Sequence, residues 1–238
     1  MISRKTLLWL SLTALLAMLV AYQTVDATWA RRAGEFAARA DQPTVRPGAD
    51  ILAGVAVTAI RTRRNDYLRS RFGQAWTDDT EAPGGHNGCD TRNDILNRDL
   101  VDKTFVSNKR CPEAVETGTL HDPYTSTVIA FVRGARTGEA VQIDHIVPLS
   151  YGWDQGAWNW STERRTRFAN DPANLLAVQG QANQDKGDQP PASWMPPNEA
   201  FHCQYAMQFI AVLRGYGLPV DAPSVPVLQR AAETCPKG

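Results

Sequence analysis

No two of the chain's cysteines stand close enough to form a CxxC pair, and no HExxH string occurs. The first absence removes zinc-finger and thioredoxin-type chemistry, and the second removes the common zinc-hydrolase arrangement. Net charge is absent as well, since 25 basic residues balance 25 acidic ones. A chain with no overall basic field is poorly suited to hold nucleic acid by charge alone, which argues against a pure binding module. Internal repeats are missing, and with them solenoid and propeller architectures. Charge is also missing locally, from Thr6 to Val25, directly after Arg4 and Lys5.

A basic start followed by an uncharged run of roughly 20 residues is the pattern of an export segment. Small residues at Val25-Asp26-Ala27 set its end at residue 27, with Thr28-Trp29-Ala30 as the alternative cleavage site. The run 6–25 is also long enough to remain as a membrane anchor, which is the second reading. Arg4 and Lys5 favour an outer location for the remainder, although Arg31 and Arg32 weaken that bias. The chain is therefore expected to be secreted, or anchored on the outer side of the cytoplasmic membrane. In an oxidising compartment Cys89, Cys111, Cys203 and Cys235 read as disulfides. Three connectivities are possible, and the sequential one, Cys89 with Cys111 and Cys203 with Cys235, is favoured. Each loop would contribute about 3 kcal/mol in the chain-entropy model.

An apolar fraction of 43% with 21% charged residues is that of a globular protein. Residues 28–49, rich in Ala, Arg, Pro and Gly, read as a linker, and residues 50–238 as one domain. Asp50 is expected to cap a helix with Ile51, Leu52, Val55 and Ala59 on one side. Further helices are expected after Asp90, from Ser161 to Phe168, from Gln179 to Lys186, from Asn198 to Gly215 and after Ser224. The β-branched stretch Thr125 to Val132 reads as a strand. The extended pattern of Val141 to Leu149 is interrupted by Asp144 and His145. The class is α+β, helix-rich, with a small β element at its centre.

A carboxylate and an imidazole adjacent on an extended segment point to opposite sides, so they can divide two tasks. Asp144 can hold a hard cation through oxygen, while His145 offers a neutral imidazole as general base. Asn174 and Asn183 follow at spacings that make the pattern specific. Asp144-His145-Ile146-Val147-Pro148-Leu149, with Asn174 and Asn183 and Lys186 beyond, resembles the HNH endonuclease motif. Gly88-Cys89-Asp90-Thr91-Arg92-Asn93, Asp122-Pro123-Tyr124-Thr125, Ala169 to Leu176 and Lys186-Gly187-Asp188 extend the likeness. Over about Tyr67 to Cys235 the chain is similar to secreted bacterial HNH proteins related to the C-terminal domain of GmrSD-type restriction enzymes.

That resemblance implies a ββα-metal core over about 139–190. It implies His145 as general base, Asn174 as the residue orienting the His145 loop, and Asp144 and Asn183 as metal ligands. Asparagine rather than histidine at position 183 keeps an oxygen donor and favours Mg2+, or Mn2+, over zinc. Lys186, Arg92 and, with less support, Arg133 or Arg136 are candidates for holding phosphate. Arg61, Arg63, Arg64, Arg69 and Arg71, and Arg164, Arg165 and Arg167, are further candidate phosphate contacts, or simply solvated faces. His86, His121 and His202 read as structural or solvated residues, with His121 the exception to watch, and Trp153, Trp158, Trp160 and Trp194 as core or rim packing, with stacking on bases as the alternative. The expected activity is hydrolysis of nucleic acid, DNA with low sequence specificity, without an obligate protein partner. The alternative is a secreted or membrane-anchored interaction module that keeps the scaffold and does no chemistry.

Overall fold

A computed structural model describes residues 43–237 apart from 108, 135 and 136. The export segment 1–27, its run 6–25, most of the linker, and Arg136 lie outside the described residues. The last linker residues already touch the domain, since the Val45 amide donates to the Pro236 carbonyl. Among the described residues no helix is long and apolar enough to cross a membrane.

In chain order the elements are β1 (Val57–Thr58), α1 (Thr91–Asp99), β2 (Val101–Phe105), β3 (Val115–His121), β4 (Val128–Val132) and β5 (Val141–His145). There follow α2 (Leu149–Asp154), α3 (Thr162–Asn170), β6 (Leu175–Gln179), α4 (Gly180–Lys186), α5 (His202–Tyr216), β7 (Val220–Asp221) and α6 (Val225–Glu233). Strands β2, β3 and β4 form an antiparallel sheet, β5 pairs antiparallel with β6, and β1 pairs parallel with β7. The class is mixed α and β with small sheets.

Local chemistry explains most boundaries. Asp90 caps α1 by accepting from the Asn93 amide, and Ser161 caps α3 by accepting from the Arg164 amide. Gly217, at φ 62°, closes α5 in the left-handed conformation that glycine adopts without steric cost. Three expectations fail. Asp50 caps no helix: its carboxylate accepts from the Leu52 amide in a turn, and Gly54 at φ 79° ends any helical path. The strand expected from Thr125 begins only at Val128, because Asp122 draws Thr125 into a turn through its amide and hydroxyl. The extended run stops at His145, and Pro148 leads into α2 at Leu149 with a φ of −57°, already suited to helix entry.

The pair β5–β6 lies between two hydrophobic clusters. Val141 and Ile143 of β5, with Leu175 and Ala177 opposite, face a cluster containing Ile95, Leu96, Leu120 and Phe131. Val178 faces the other cluster, in which α5 supplies Tyr205, Phe209, Ile210 and Leu213, all fully buried. Each such side chain stabilises the fold by roughly 1.5–3 kcal/mol relative to exposure. Gly180 opens α4 where no other residue fits, because a Cβ there would lie 1.8 Å from the Glu139 carbonyl oxygen. Both disulfides form as expected, Cys89 with Cys111 and Cys203 with Cys235, with Cα separations of 4.7 and 4.9 Å. The second joins α5 to the residues just after α6.

Candidate active site

Because strand side chains alternate, Gln142 and Asp144 face α4 while His145 ends the opposite face of β5. Asn183 and Lys186 lie three apart on α4, on the side that meets β5. Their partners are crossed: the Asn183 amide donates to Gln142 Oε1 at 2.8 Å, while the Lys186 ammonium is bound to Asp144 Oδ2. Lys186 also donates to the His145 carbonyl at 2.7 Å and is fully buried. The rings of Tyr124, Trp194 and Tyr205 surround its ammonium at 5.8 to 5.9 Å from their centroids. The Tyr124 hydroxyl donates to the same Asp144 oxygen. Burial pulls the Lys186 ammonium below its ordinary range, and Asp144 opposes that pull.

On the far side of β5 the His145 ring is 7% exposed and stacks on Trp76, with centroids 5.4 Å apart and planes 13° from parallel. His145 Nε2 lies 2.9 Å from the Ala169 carbonyl oxygen. A carbonyl only accepts, so Nε2 carries the proton and Nδ1 is the basic nitrogen of the neutral ring. Burial foremost, then the charge of Arg69, hold the imidazole down at about 3. The ring lines a cavity of about 280 Å³ with Arg69, Phe72, Trp76, Leu149 and Ala169. Asn174, fully buried, fixes the loop that follows: its oxygen accepts from the Val147 amide at 2.8 Å and its nitrogen donates to the Val147 carbonyl at 3.2 Å.

The other sequence candidates take structural positions. Lys186 is buried against Asp144. Arg92 is half-buried and donates to the Val141 carbonyl at 3.1 Å, tying α1 to β5. Arg133 is likewise engaged, by the Val115 carbonyl and by Asn93. Trp153 and Trp160 pack in or against the core, Trp194 belongs to the Lys186 box, and Trp158 is exposed beneath Arg64. Trp76 escaped the sequence reading, and Gln142, Tyr205 and Tyr124 entered it only as parts of a strand, a helix and a motif string.

Residues 90–222, more than half of the chain, match the family model described as GmrSD restriction endonucleases, C-terminal domain. The chain belongs to that family. Membership in the GmrSD C-terminal family relates it to nucleases and points to nucleic acid as the substrate in general. An "Uncharacterized secreted protein" of the fungus Arthroderma benhamiae is 36% identical over 149 residues, covering 62% of this chain and 68% of that protein. This relative is fungal, so the bacterial origin expected from the resemblance has no support. No solved structure matches the chain. The family region contains Asp144, His145, Asn174, Asn183 and Lys186, whereas Arg69 and Trp76 precede it.

The donor set can be tested against a hard cation. Among the described residues, Tyr205 Oη is the one fully buried side-chain oxygen or nitrogen left without a partner. Among the described residues Asp144 Oδ1 and Asn183 Oδ1 have no hydrogen-bond partner. A carboxylate and a carboxamide oxygen on facing elements suit Mg2+ or Mn2+ in chemical type. No group of three or more His, Cys, Asp or Glu side chains suited to a metal occurs among the described residues, so protein groups alone would make a sparse site.

Proposed function

We propose that this chain is a metal-dependent HNH endonuclease that hydrolyses phosphodiester bonds, DNA with little sequence preference, outside the cytoplasm. The observation that carries the reading is the state of His145: a neutral imidazole, its Nε2 proton committed to Ala169, its loop pinned by Asn174, lining a cavity. In this reading β5, β6 and α4 are the ββα core. Nδ1 removes a proton from a water molecule, the water oxygen attacks phosphorus, and the bond to the 3′ oxygen breaks. The products are a 5′-phosphate and a 3′-hydroxyl. Asp144 and Asn183, on the face of β5 opposite the His145 ring, would hold Mg2+ or Mn2+, whose charge when bound would offset that of the nucleic-acid phosphates. Asn174 acts through position, since a base displaced by about 1 Å loses much of its effect. An extracellular setting is supported by the export segment, the two disulfides and the description of the fungal relative as secreted.

Lys186 already neutralises Asp144, and this favours a second reading, a secreted interaction module without chemistry. One assay separates the two. Purified protein is incubated with supercoiled plasmid and with RNA, in magnesium or in EDTA, beside His145→Ala. Nicking by the wild type, lost in EDTA and in a folded His145→Ala variant, is expected. Undiminished cleavage in either of those conditions would discard the mechanism, and no cleavage by the wild type under any of them would favour the module.

A further inference from the structure

We propose that Arg69 binds a phosphate of the nucleic-acid substrate inside the His145 cavity, with the Trp76 ring as the platform that sets its guanidinium. This deepens the nuclease reading and rests on it. The arginine run that precedes the family region is largely spoken for: Arg61 bonds to Asp154 and Asp188, Arg63 to Asp188, and Arg64 to Asp66. Arg69 and Arg71 have no acidic partner among the described residues, and of the two only Arg69 lines the cavity with His145. Buried Phe72 anchors the turn Arg69–Phe72 in the main core, so the guanidinium enters from a fixed support.

Three features say what this cation would meet. Its guanidinium carbon lies 5.9 Å from the centroid of Trp76, the same ring that stacks on His145, so arginine, indole and imidazole share one site. Much of the remaining wall is apolar, with Phe72, Ala75, Leu149 and Ala169, so exposed Arg69 is the cationic side chain that an anion entering this cavity meets. Beyond Trp76 lies a second cavity of about 650 Å³, whose wall carries Asp78, Asp79 and Asp90 together with His86 and Arg110, so the indole stands between a mixed-charge compartment and the one that Arg69 lines. Trp76 stands at a φ of 58°, a conformation that non-glycine residues avoid and that is retained mainly where a site requires it.

The test measures binding and turnover separately. Binding of fluorescein-labelled single-stranded and duplex DNA is titrated against sodium chloride, in a His145→Ala background that prevents cleavage. Adding Arg69→Ala should weaken binding about tenfold at moderate salt, the loss of one charged contact. It should also lower the slope of log affinity on log salt by about 1. In the otherwise native chain Arg69→Ala should raise KM with the fold intact by circular dichroism, Arg69→Lys should recover part of the loss, and Arg71→Ala should match the wild type. An unchanged salt slope, or a loss confined to kcat, overturns the Arg69 assignment even where the wild type is an active nuclease. A wild type that neither binds nor cleaves DNA or RNA overturns the nuclease reading and this proposal together.

Discussion

Lys186 and Asp144 form a buried ion pair on the side of β5 opposite His145, with the three aromatic rings of Tyr124, Trp194 and Tyr205 around the ammonium. The pair gives Asp144 a fixed orientation, and Lys186 ties the same point to the carbonyls of His145 and Ile146. The end of the strand bearing the proposed base is therefore held from both sides, by Lys186 below and by Asn174 through Val147.

Removing one member of a buried pair leaves an uncompensated charge in a medium that solvates it poorly. Lys186→Met is expected to lower stability by about 3–5 kcal/mol, read as a fall in the urea midpoint. The double variant Asp144→Leu with Lys186→Met should recover much of that loss. A single variant that unfolds at the wild-type urea concentration would show that the carboxylate is not confined by the ammonium.

Asn174→Ala strips Val147 of partners for both its amide and its carbonyl inside the core. A cost of about 1–3 kcal/mol is expected for the unpaired groups. In the protein that remains folded, kcat should fall at least about tenfold, because the His145 loop is no longer held. Wild-type turnover in folded Asn174→Ala would remove the positioning role.

A histidine held at about 3 is already neutral across the usual range of assay. The sign is that of a depressed group: the basic form is present above that value and is lost as pH falls through it. The profile of kcat/KM, which reports the free enzyme, should therefore show no acid limb centred near 6.5 between pH 7 and 5. A limb with its midpoint close to 6.5 would mean that the imidazole is solvated rather than enclosed by Trp76 and Ala169.

The Cys203–Cys235 bridge closes a loop with a sequence separation of 32 around α5 and α6. Replacing both cysteines by alanine is expected to cost about 3–4 kcal/mol in the chain-entropy model. Differential scanning calorimetry of the double variant, against wild type with and without reductant, checks this. Equal melting temperatures in all three would refute it.

Much of the frame was legible because it depends on neighbours in sequence. Asp90 and Ser161 announce helix starts, and the helix expected from Asn198 to Gly215 is found as α5, with Tyr205, Phe209, Val212 and Leu213 buried along it. The alternation of β5 places Asp144 and His145 on opposite sides. Asp50 misled because a capping residue serves a turn equally well, and only the following backbone, with Gly54 at positive φ, decides which forms.

The sequence by itself determined the mixed α and β class, most of the longer helices, the spacing that sets Asp144, His145, Asn174 and Asn183 apart, and a cysteine pairing that proved correct. Tertiary structure alone decided that Lys186 turns inward onto Asp144, that Arg92 is spent on a backbone carbonyl, and that Trp76 and Arg69 close around His145. Periodicity states which face of an element a side chain occupies. It does not state which distant segment covers that face, and a lysine or arginine becomes an internal clamp or an open cation according to that covering.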